Sequence, residues 1–138
     1  MSNKVTIIVG LPGSGKSYYG RRLALSRHCR FIDDVSKSYN TLQDIIDMLL
    51  QYKECVIADP QLCKEKARQA AQRAFDKFGI ESEWVFFTND PRKCRENAKL
   101  RGNIAEVGVD IDVFSRQYVI GEGKVLPVWQ ATTGAKWR

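Results

Sequence analysis

The residue types at positions 10–17 suit one task, the binding of a polyphosphate. The segment reads Gly-Leu-Pro-Gly-Ser-Gly-Lys-Ser and fits the pattern G-x-x-x-x-G-K-S/T. Glycines allow a tight turn whose backbone N–H groups approach phosphate oxygens, and the start of a helix attracts anions. We therefore expect Lys16 to contact the β- and γ-phosphates of ATP and Ser17 to ligate Mg²⁺. The predicted nucleotide contacts are Gly10, Pro12, Gly13, Ser14, Gly15, Lys16 and Ser17.

Carboxylates follow two of the predicted strands. A hydroxyl that accepts a phosphoryl group needs a carboxylate to orient it and take its proton. Asp33 and Asp34 are the candidates; because neighbours on an extended segment point to opposite sides, we expect one of them in the cleft. The alternative is a turn or capping pair. Asp59 is predicted to hold Mg²⁺ through water or to orient Ser17, and the alternative is a simple Asp-Pro turn.

A basic segment lies further along the chain. Four residues of this segment, Arg92, Arg95, Lys99 and Arg101, are predicted to close over ATP and neutralise charge that develops on the transferred group, and Gly102 is predicted to act as the joint of a moving lid. The alternative is a solvated helix face. The basic residues are Arg92, Lys93, Arg95, Lys99 and Arg101, with Glu96 among them.

The apolar pattern predicts the elements that position these residues. Short apolar runs alternate with helical patterns, which indicates βαβ units and a mostly parallel sheet. The predicted strands span residues 4–9, 30–32, 55–58, 84–87 and 125–129. The predicted helices span residues 16–26, 42–49, 62–78, 91–100 and 111–118, with a loop at 102–108 and a frayed tail from 132.

The length and composition exclude several classes of protein. A chain of 138 residues fits a single domain over residues 1–138, and its apolar runs are far shorter than the roughly 20 residues of a membrane span. No export signal is recognised, so we expect a cytoplasmic protein. Four cysteines without a Cys-x-x-Cys pair, and a single histidine, give no zinc-ligand spacing or disulfide framework.

The formal net charge of +6 is concentrated near the amino terminus. Every charged residue before Asp33 is basic, whereas the later part of the chain is balanced. Basic surfaces favour polyanions such as nucleotides or nucleic acids.

Together these features resemble the kinase domain of the polynucleotide kinase family. The resemblance is carried by the phosphate loop, the Asp33–Asp34 pair, Val-Ile-Ala-Asp at 56–59, and Arg-Glu-Asn-Ala-Lys-Leu-Arg-Gly at 95–102, and it extends into 109–118. It implies an α/β P-loop kinase fold with a five-stranded parallel sheet of order 2-3-1-4-5 flanked by helices on both faces, and a lid over about 91–108.

The same resemblance implies the roles of individual residues. Lys16 and Ser17 would contact the phosphates and magnesium, Asp33 would be the general base, Asp59 a supporting acid and Arg101 the lid arginine. The cofactors would be ATP and Mg²⁺, and the acceptor the 5′-hydroxyl of a nucleic acid or of a nucleoside 3′-phosphate.

Two departures from that family leave other functions open. The family places an arginine three residues after the base to hold the 3′-phosphate of the acceptor; this chain has Ser36, with Lys37 as the nearest substitute. The segment between the second and third strands is also shorter. The first alternative is a kinase of a small metabolite, nucleoside or nucleotide, and the second is a non-catalytic ATP-binding switch.

Overall fold

A five-stranded parallel sheet forms the centre of the protein. In the computed structural model, which describes residues 3–130, the strand order is β2-β3-β1-β4-β5 and every strand pair is parallel. This confirms the predicted sheet and its order. The strands are β1 (Lys4–Val9), β2 (Arg30–Ile32), β3 (Glu54–Ala58), β4 (Glu81–Phe87) and β5 (Lys124–Leu126).

Helices cover both faces of the sheet. Because side chains alternate along a strand, Ile7 of β1 packs with the helices on one face, whereas Ile8 packs against α1 on the other. The remaining helices, α2 to α6, contribute to the larger core on the Ile7 face. The helices are α1 (Lys16–Ser26), α2 (Val35–Ser38), α3 (Leu42–Leu49), α4 (Glu65–Lys77), α5 (Pro91–Arg101) and α6 (Ile104–Gln117).

Local signals explain where several helices begin and end. The Thr41 hydroxyl accepts a hydrogen bond from the Asp44 N–H at 3.1 Å and so caps α3. Asp90 caps α5 in the same way, with Pro91 at the first helical position. Gly102 ends α5 in the left-handed conformation that glycine adopts without strain.

Three predicted boundaries are wrong. The helix predicted at 62–78 is divided, because Lys64 is extended between a short 3-10 turn (Pro60–Cys63) and α4. The loop predicted at 102–108 is mostly helical. Only Gly102 and Asn103 separate α5 from α6, which begins at Ile104. The fifth strand ends at Leu126, because Pro127 has no N–H to continue the ladder.

Two further expectations concern the connections. The polar connection after β2 contains the short helix α2, which was not predicted. The tail from residue 132 lies outside the described residues. Within residues 3–130, no helix has both the length and the apolar character needed to cross a membrane.

The two edges of the sheet differ in chemistry. The phosphate loop follows β1, Asp33 follows β2 and Asp59 follows β3, so all three meet at the carboxyl edge, where ligands bind in open α/β sheets. At the amino edge, Arg27 pairs with Glu54 at 3.3 Å and Glu83 at 3.5 Å. Part of the amino-terminal positive charge is therefore used in ion pairs far from the phosphate loop.

Candidate active site

A cleft of about 420 Å³ opens at the carboxyl edge of the sheet. It is formed by the phosphate loop and α1, by the segments after β2 and β3, and by the end of α5 together with α6. It brings together the residues predicted to act in catalysis and metal binding: Lys16, Ser17, Asp33, Asp59 and Arg101. Pro12, Gly13 and Gly15 also line the cleft, whereas Ser14, which belongs to the same loop, is fully buried.

Two positions in the phosphate loop require glycine. Gly13 has φ +83°, and an added Cβ would lie 2.6 Å from the carbonyl oxygen of Cys94. Gly15 has φ +99°, and its Cβ would lie 2.7 Å from the Cβ of Trp129. Both positive φ angles strain any other residue, and both sites are too close to neighbouring atoms for a side chain.

Contacts behind the phosphate loop fix its orientation. The buried Asn97 side chain of α5 donates hydrogen bonds to the carbonyls of Gly13, at 2.9 Å, and Trp129. The Trp129 N–H in turn donates to the Ser14 carbonyl at 2.9 Å. Because the C=O and N–H of a peptide point in opposite directions, the Gly15 N–H points away from Trp129. The first-turn amides of α1 also lack intrahelical acceptors, as in any helix.

The Asp33 carboxylate is held directly beside the phosphate loop. The Ser17 hydroxyl donates a hydrogen bond to one of its oxygens, and the Asp34 N–H donates to the other at 3.0 Å. Lys16, only 7% exposed, lies in the same cleft. A carboxylate, a hydroxyl and an ammonium group thus converge where a terminal phosphate would be expected.

Asp34 has a different environment, although it also lines the cleft. Its backbone has φ 45°, a left-handed conformation that aspartate tolerates better than most residues. Its carboxylate forms an ion pair with Lys37 at 3.6 Å, and the Lys37 side chain is 80% exposed. Of the two candidates, Asp33 is the one bonded to the phosphate-loop helix.

Both oxygens of the Asp59 carboxylate are bonded to backbone amides. It is 2% exposed, and its two oxygens accept hydrogen bonds from the N–H groups of Ser36, at 2.7 Å, and Gln61, at 2.8 Å. Asp59 therefore links the end of β3 to the turn formed by residues 33–36, called here the Asp33 turn.

The basic helix contributes less free charge than its sequence indicates. Arg95 is paired with Asp112 of α6, and Arg92 lies 3.8 Å from Glu96. Arg101, at the end of α5, is the basic residue of this helix that lines the cleft.

Sequence reasoning missed several residues of the cleft because α6 was placed too late in the chain. The lining of the cleft also includes Asn103, Val107, Asp110 and Phe114. Asn103 directly follows the glycine that ends α5, and Asn is a common residue at helix starts, so this signal was available. The role of Trp129 had no such signal, because it depends on contacts across more than 100 residues.

The donor atoms of the cleft suit Mg²⁺ that arrives with phosphates. Hydroxyl and carboxylate oxygens are the ligands that Mg²⁺ prefers, and it is usually held by one or two carboxylates together with substrate phosphates. Among residues 3–130, no group of three or more His, Cys, Asp or Glu side chains could hold a metal ion by itself. Ser17 and its partner Asp33 fit the expected pattern.

A second, more apolar pocket of about 500 Å³ lies beside the phosphate loop. Its aromatic wall is formed by Tyr18 and Trp129, whose ring centroids are 5.2 Å apart, and the Arg22 guanidinium lies 5.6 Å from the Tyr18 ring centroid. Gly15 lines both this pocket and the cleft. A planar ring in this pocket would therefore be adjacent to a phosphate chain held by the loop.

Buried thiols lie beneath the cleft. Burial raises the pKa of Cys63 and of Cys94 to about 12, an increase that the nearby Lys16 ammonium partly opposes. At neutral pH these thiols are protonated and behave as small apolar groups.

Comparison with known sequences gives a relative of similar length. No protein-family model matches the sequence. An uncharacterised protein of Acanthamoeba polyphaga mimivirus is 28% identical over 125 residues, which cover 87% of this chain and 89% of that protein.

Comparison with solved structures gives several kinases. A gluconokinase from Sinorhizobium meliloti aligns with a TM-score of 0.63 and 17% identity, over 94% of this chain and 84% of that one. The Mycobacterium tuberculosis APS kinase CysC, solved with AMPPNP and APS, gives 0.67 and 16%, over 96% and 92%. A fungal RNA kinase gives 0.65 and 12%, over 99% and 79%. At these identities the similarity establishes the fold, and the chain has the fold of a P-loop kinase.

Proposed function

We propose that this protein transfers the γ-phosphoryl group of ATP to a hydroxyl group. The observation that carries the proposal is the hydrogen bond from Ser17 to Asp33, which holds a carboxylate beside the phosphate loop. A pure nucleotide switch needs no such acceptor base. The fold supports the same reaction class, although fold alone does not establish activity.

The predicted catalytic and metal-binding residues of the cleft each have a role in the proposed reaction. Asp33 would accept the proton of the acceptor hydroxyl. The oxygen of that hydroxyl would bond to the γ-phosphorus as the bond from this phosphorus to the leaving ADP breaks. Lys16 and Arg101 would stabilise the negative charge on the transferred group. Bound with ATP, Mg²⁺ would supply further positive charge to the phosphates; Ser17 is its proposed ligand, and Asp59 was expected to support it.

The second pocket is the proposed site of the nucleotide base. The rings of Tyr18 and Trp129 offer an aromatic surface, and both residues adjoin the phosphate loop through Gly15. A base stacked there would keep the phosphates in register with the loop amides.

We further propose that residues 1–138 act as one cytoplasmic domain whose lid spans about 91–108. Cys94, Asn97 and Ala98 are buried against the phosphate loop and core, so this part of α5 anchors the lid. Movement would begin beyond Ala98 and pivot at Gly102, where nothing lies within 4 Å of the position that a Cβ atom would occupy. Closure would carry Arg101 over the phosphates and exclude water.

For the acceptor, we propose the 5′-hydroxyl end of a nucleic acid or a nucleoside 3′-phosphate. The support is the resemblance to polynucleotide kinases at Asp33–Asp34 and 95–102, together with the fungal RNA kinase among the structural neighbours. Lys37, at the cleft, would be the contact for an acceptor phosphate.

A second acceptor class is favoured by the charges of the cleft. The lining of the cleft includes the carboxylates of Asp34 and Asp110 in addition to Asp33, and Lys37 is already paired with Asp34. Ser36 occupies the position of the expected arginine. This environment suits a small hydroxylated molecule without a strong negative charge better than a polyanion.

Transfer of labelled γ-phosphate from ATP with Mg²⁺ would separate these functions. The acceptors are 5′-hydroxyl oligonucleotides, nucleoside 3′-phosphates, nucleosides, nucleoside monophosphates and sugars, with Lys16→Ala as the negative control. Label on oligonucleotide ends, absent with Lys16→Ala, supports the nucleic-acid acceptor. Label on a small acceptor alone supports the second class, whereas ATP binding without transfer would contradict the kinase proposal.

A further inference from the structure

We infer that Asp59 is a positioning residue that holds the Asp33 turn in place, and that it is not a direct ligand of the metal. This inference rests on the proposed function, because it assigns Asp59 a role in the same site. It differs from the expectation that the acid at the end of the third strand holds Mg²⁺ or orients the phosphate-loop serine.

The first observation is that both oxygens of Asp59 are engaged. One accepts from the Ser36 N–H at 2.7 Å and the other from the Gln61 N–H at 2.8 Å. Asp59 is also 2% exposed. Hydrogen bonds from backbone amides to a carboxylate are stronger than bonds between neutral groups, so turning this side chain to another partner would cost both of them.

The second observation concerns the turn that contains the Ser36 amide and its attachment to β3. Ser36 lies in the first turn of the four-residue helix α2, and Asp34 just before it has the strained φ of 45°. A short helix and a left-handed residue are weak determinants of structure by themselves. The bond from Ser36 to Asp59 ties this turn to the end of β3, which is part of the rigid sheet.

The third observation is the position of Asp33 in the same turn. Its carboxylate receives the Ser17 hydroxyl and the Asp34 N–H. The Ser17 hydroxyl is thus oriented by Asp33, the role that had been considered for Asp59. Hydrogen bonds at both ends of the Asp33 turn, joined by its backbone, therefore connect Asp59 to the phosphate-loop helix.

The test compares Asp59→Asn with Asp76→Asn, an exposed carboxylate on α4, by AMPPNP titration with and without Mg²⁺ and by NMR of the backbone amides. In Asp59→Asn we expect solvent exchange of the Ser36 amide, the Gln61 amide or both to rise about tenfold or more, since asparagine has one uncharged acceptor oxygen for the two donors. The gain in AMPPNP affinity from Mg²⁺ should stay within about threefold of wild type, because no ligand of the ion has been removed. Asp76→Asn should change neither quantity.

A measurement on the wild-type protein covers the case in which Asp59→Asn does not fold. Exchange of the Ser36 and Gln61 amides is compared in the AMPPNP complex with and without Mg²⁺. The inference expects both amides to stay protected when Mg²⁺ is added. Faster solvent exchange of the Ser36 amide on adding Mg²⁺, loss of the Mg²⁺ effect in Asp59→Asn, or unchanged exchange of both amides in that variant would each overturn it.

These readouts require no phosphoryl transfer, so failure of the transfer assay would refute the proposed function without deciding the role of Asp59. If transfer is found, Asp59→Asn should lower kcat and leave the KM for ATP nearly unchanged, since the phosphate loop is intact. A raised KM for ATP with unchanged kcat would also contradict a positioning role.

Discussion

The phosphate loop and the Asp33 turn are adjacent and line the same cleft, but they are stabilised in different ways. The loop has glycines where its backbone needs positive φ, and it is packed against α5 and Trp129. The Asp33 turn has an aspartate with a left-handed backbone in place of a glycine, and a single hydrogen bond from the Ser36 N–H to Asp59 ties it to the end of β3. This difference indicates a rigid nucleotide site beside a more adjustable acceptor site, which would let one fold serve different acceptors.

The largest expected effect comes from the loop lysine. Lys16→Ala should lower kcat/KM for transfer by about 10³-fold, because it removes the main protein charge at the transferred phosphate. Steady-state kinetics with labelled ATP would measure this, and the exposed Lys66→Ala is the control. If Lys16→Ala retained more than about one tenth of wild-type activity, the phosphate loop would not supply the main charge at the transferred phosphate.

A glycine exchange tests how tightly the loop is packed. Gly13→Ala and Gly79→Ala both place alanine at positive φ, but only Gly13 has a backbone oxygen within 3 Å of the new methyl group. We expect Gly79→Ala to lower the free energy of unfolding by about 1 kcal/mol and Gly13→Ala by about 3 kcal/mol. Urea denaturation measures both, and equal losses would show that the loop is not held against α5.

The anchor of α5 should have a smaller effect. Asn97→Ala removes the hydrogen bonds to the Gly13 and Trp129 carbonyls, so we expect a loss of about 2 kcal/mol in stability and about tenfold in AMPPNP affinity. Asn89 is a matched control, since its side chain also donates to two carbonyls, those of Ser115 and Tyr118. If Asn89→Ala weakened AMPPNP binding equally, the loss of affinity would reflect lower overall stability and not the contact of Asn97 with the phosphate loop.

Alkaline pH should lower the free energy of unfolding through the thiols buried beneath the cleft. The pKa of Cys63 is raised by burial from 9.0 to about 12, so above pH 9 the unfolded chain releases a proton that the folded protein retains. Its contribution to stability is complete below pH 9 and falls as pH rises towards 12, by up to about 1.4 kcal/mol per pH unit. Urea midpoints at pH 8 and 10 test this, and Cys63→Ala should reduce the slope. A slope unchanged in that variant would contradict the assignment.

The sequence predicts the phosphate loop better than its surroundings for a physical reason. Residues 10–17 contain the glycines, lysine and serine that the loop needs, so its structure is encoded locally. The sheet order was implied by a family resemblance and is confirmed. The anchor by Asn97 and Trp129 depends instead on segments far apart in sequence, and no local pattern indicates it.

The Asp33 turn shows the same limit more clearly. The residue types at 33, 34 and 59 indicated carboxylates at the strand ends, and these do meet in the cleft. Their division of contacts was not predictable, because Asp59 reaches Ser36 only when β2 and β3 are adjacent. Likewise, Gly102 was interpreted as part of a loop, although one left-handed residue suffices to separate two helices.

The central claim is that the carboxylate bonded to Ser17 acts on the acceptor, whereas its neighbour does not. The most direct measurement is the single-turnover rate of transfer at saturating ATP and Mg²⁺, with the acceptor that the panel identifies, in Asp33→Asn and Asp34→Asn. We predict a rate at least about 100-fold lower in Asp33→Asn, with AMPPNP affinity nearly unchanged. Asp34→Asn, which loses an ion pair with the exposed Lys37, should slow transfer by less than about fivefold. Wild-type transfer by Asp33→Asn, or an equal loss in both variants, would contradict this account.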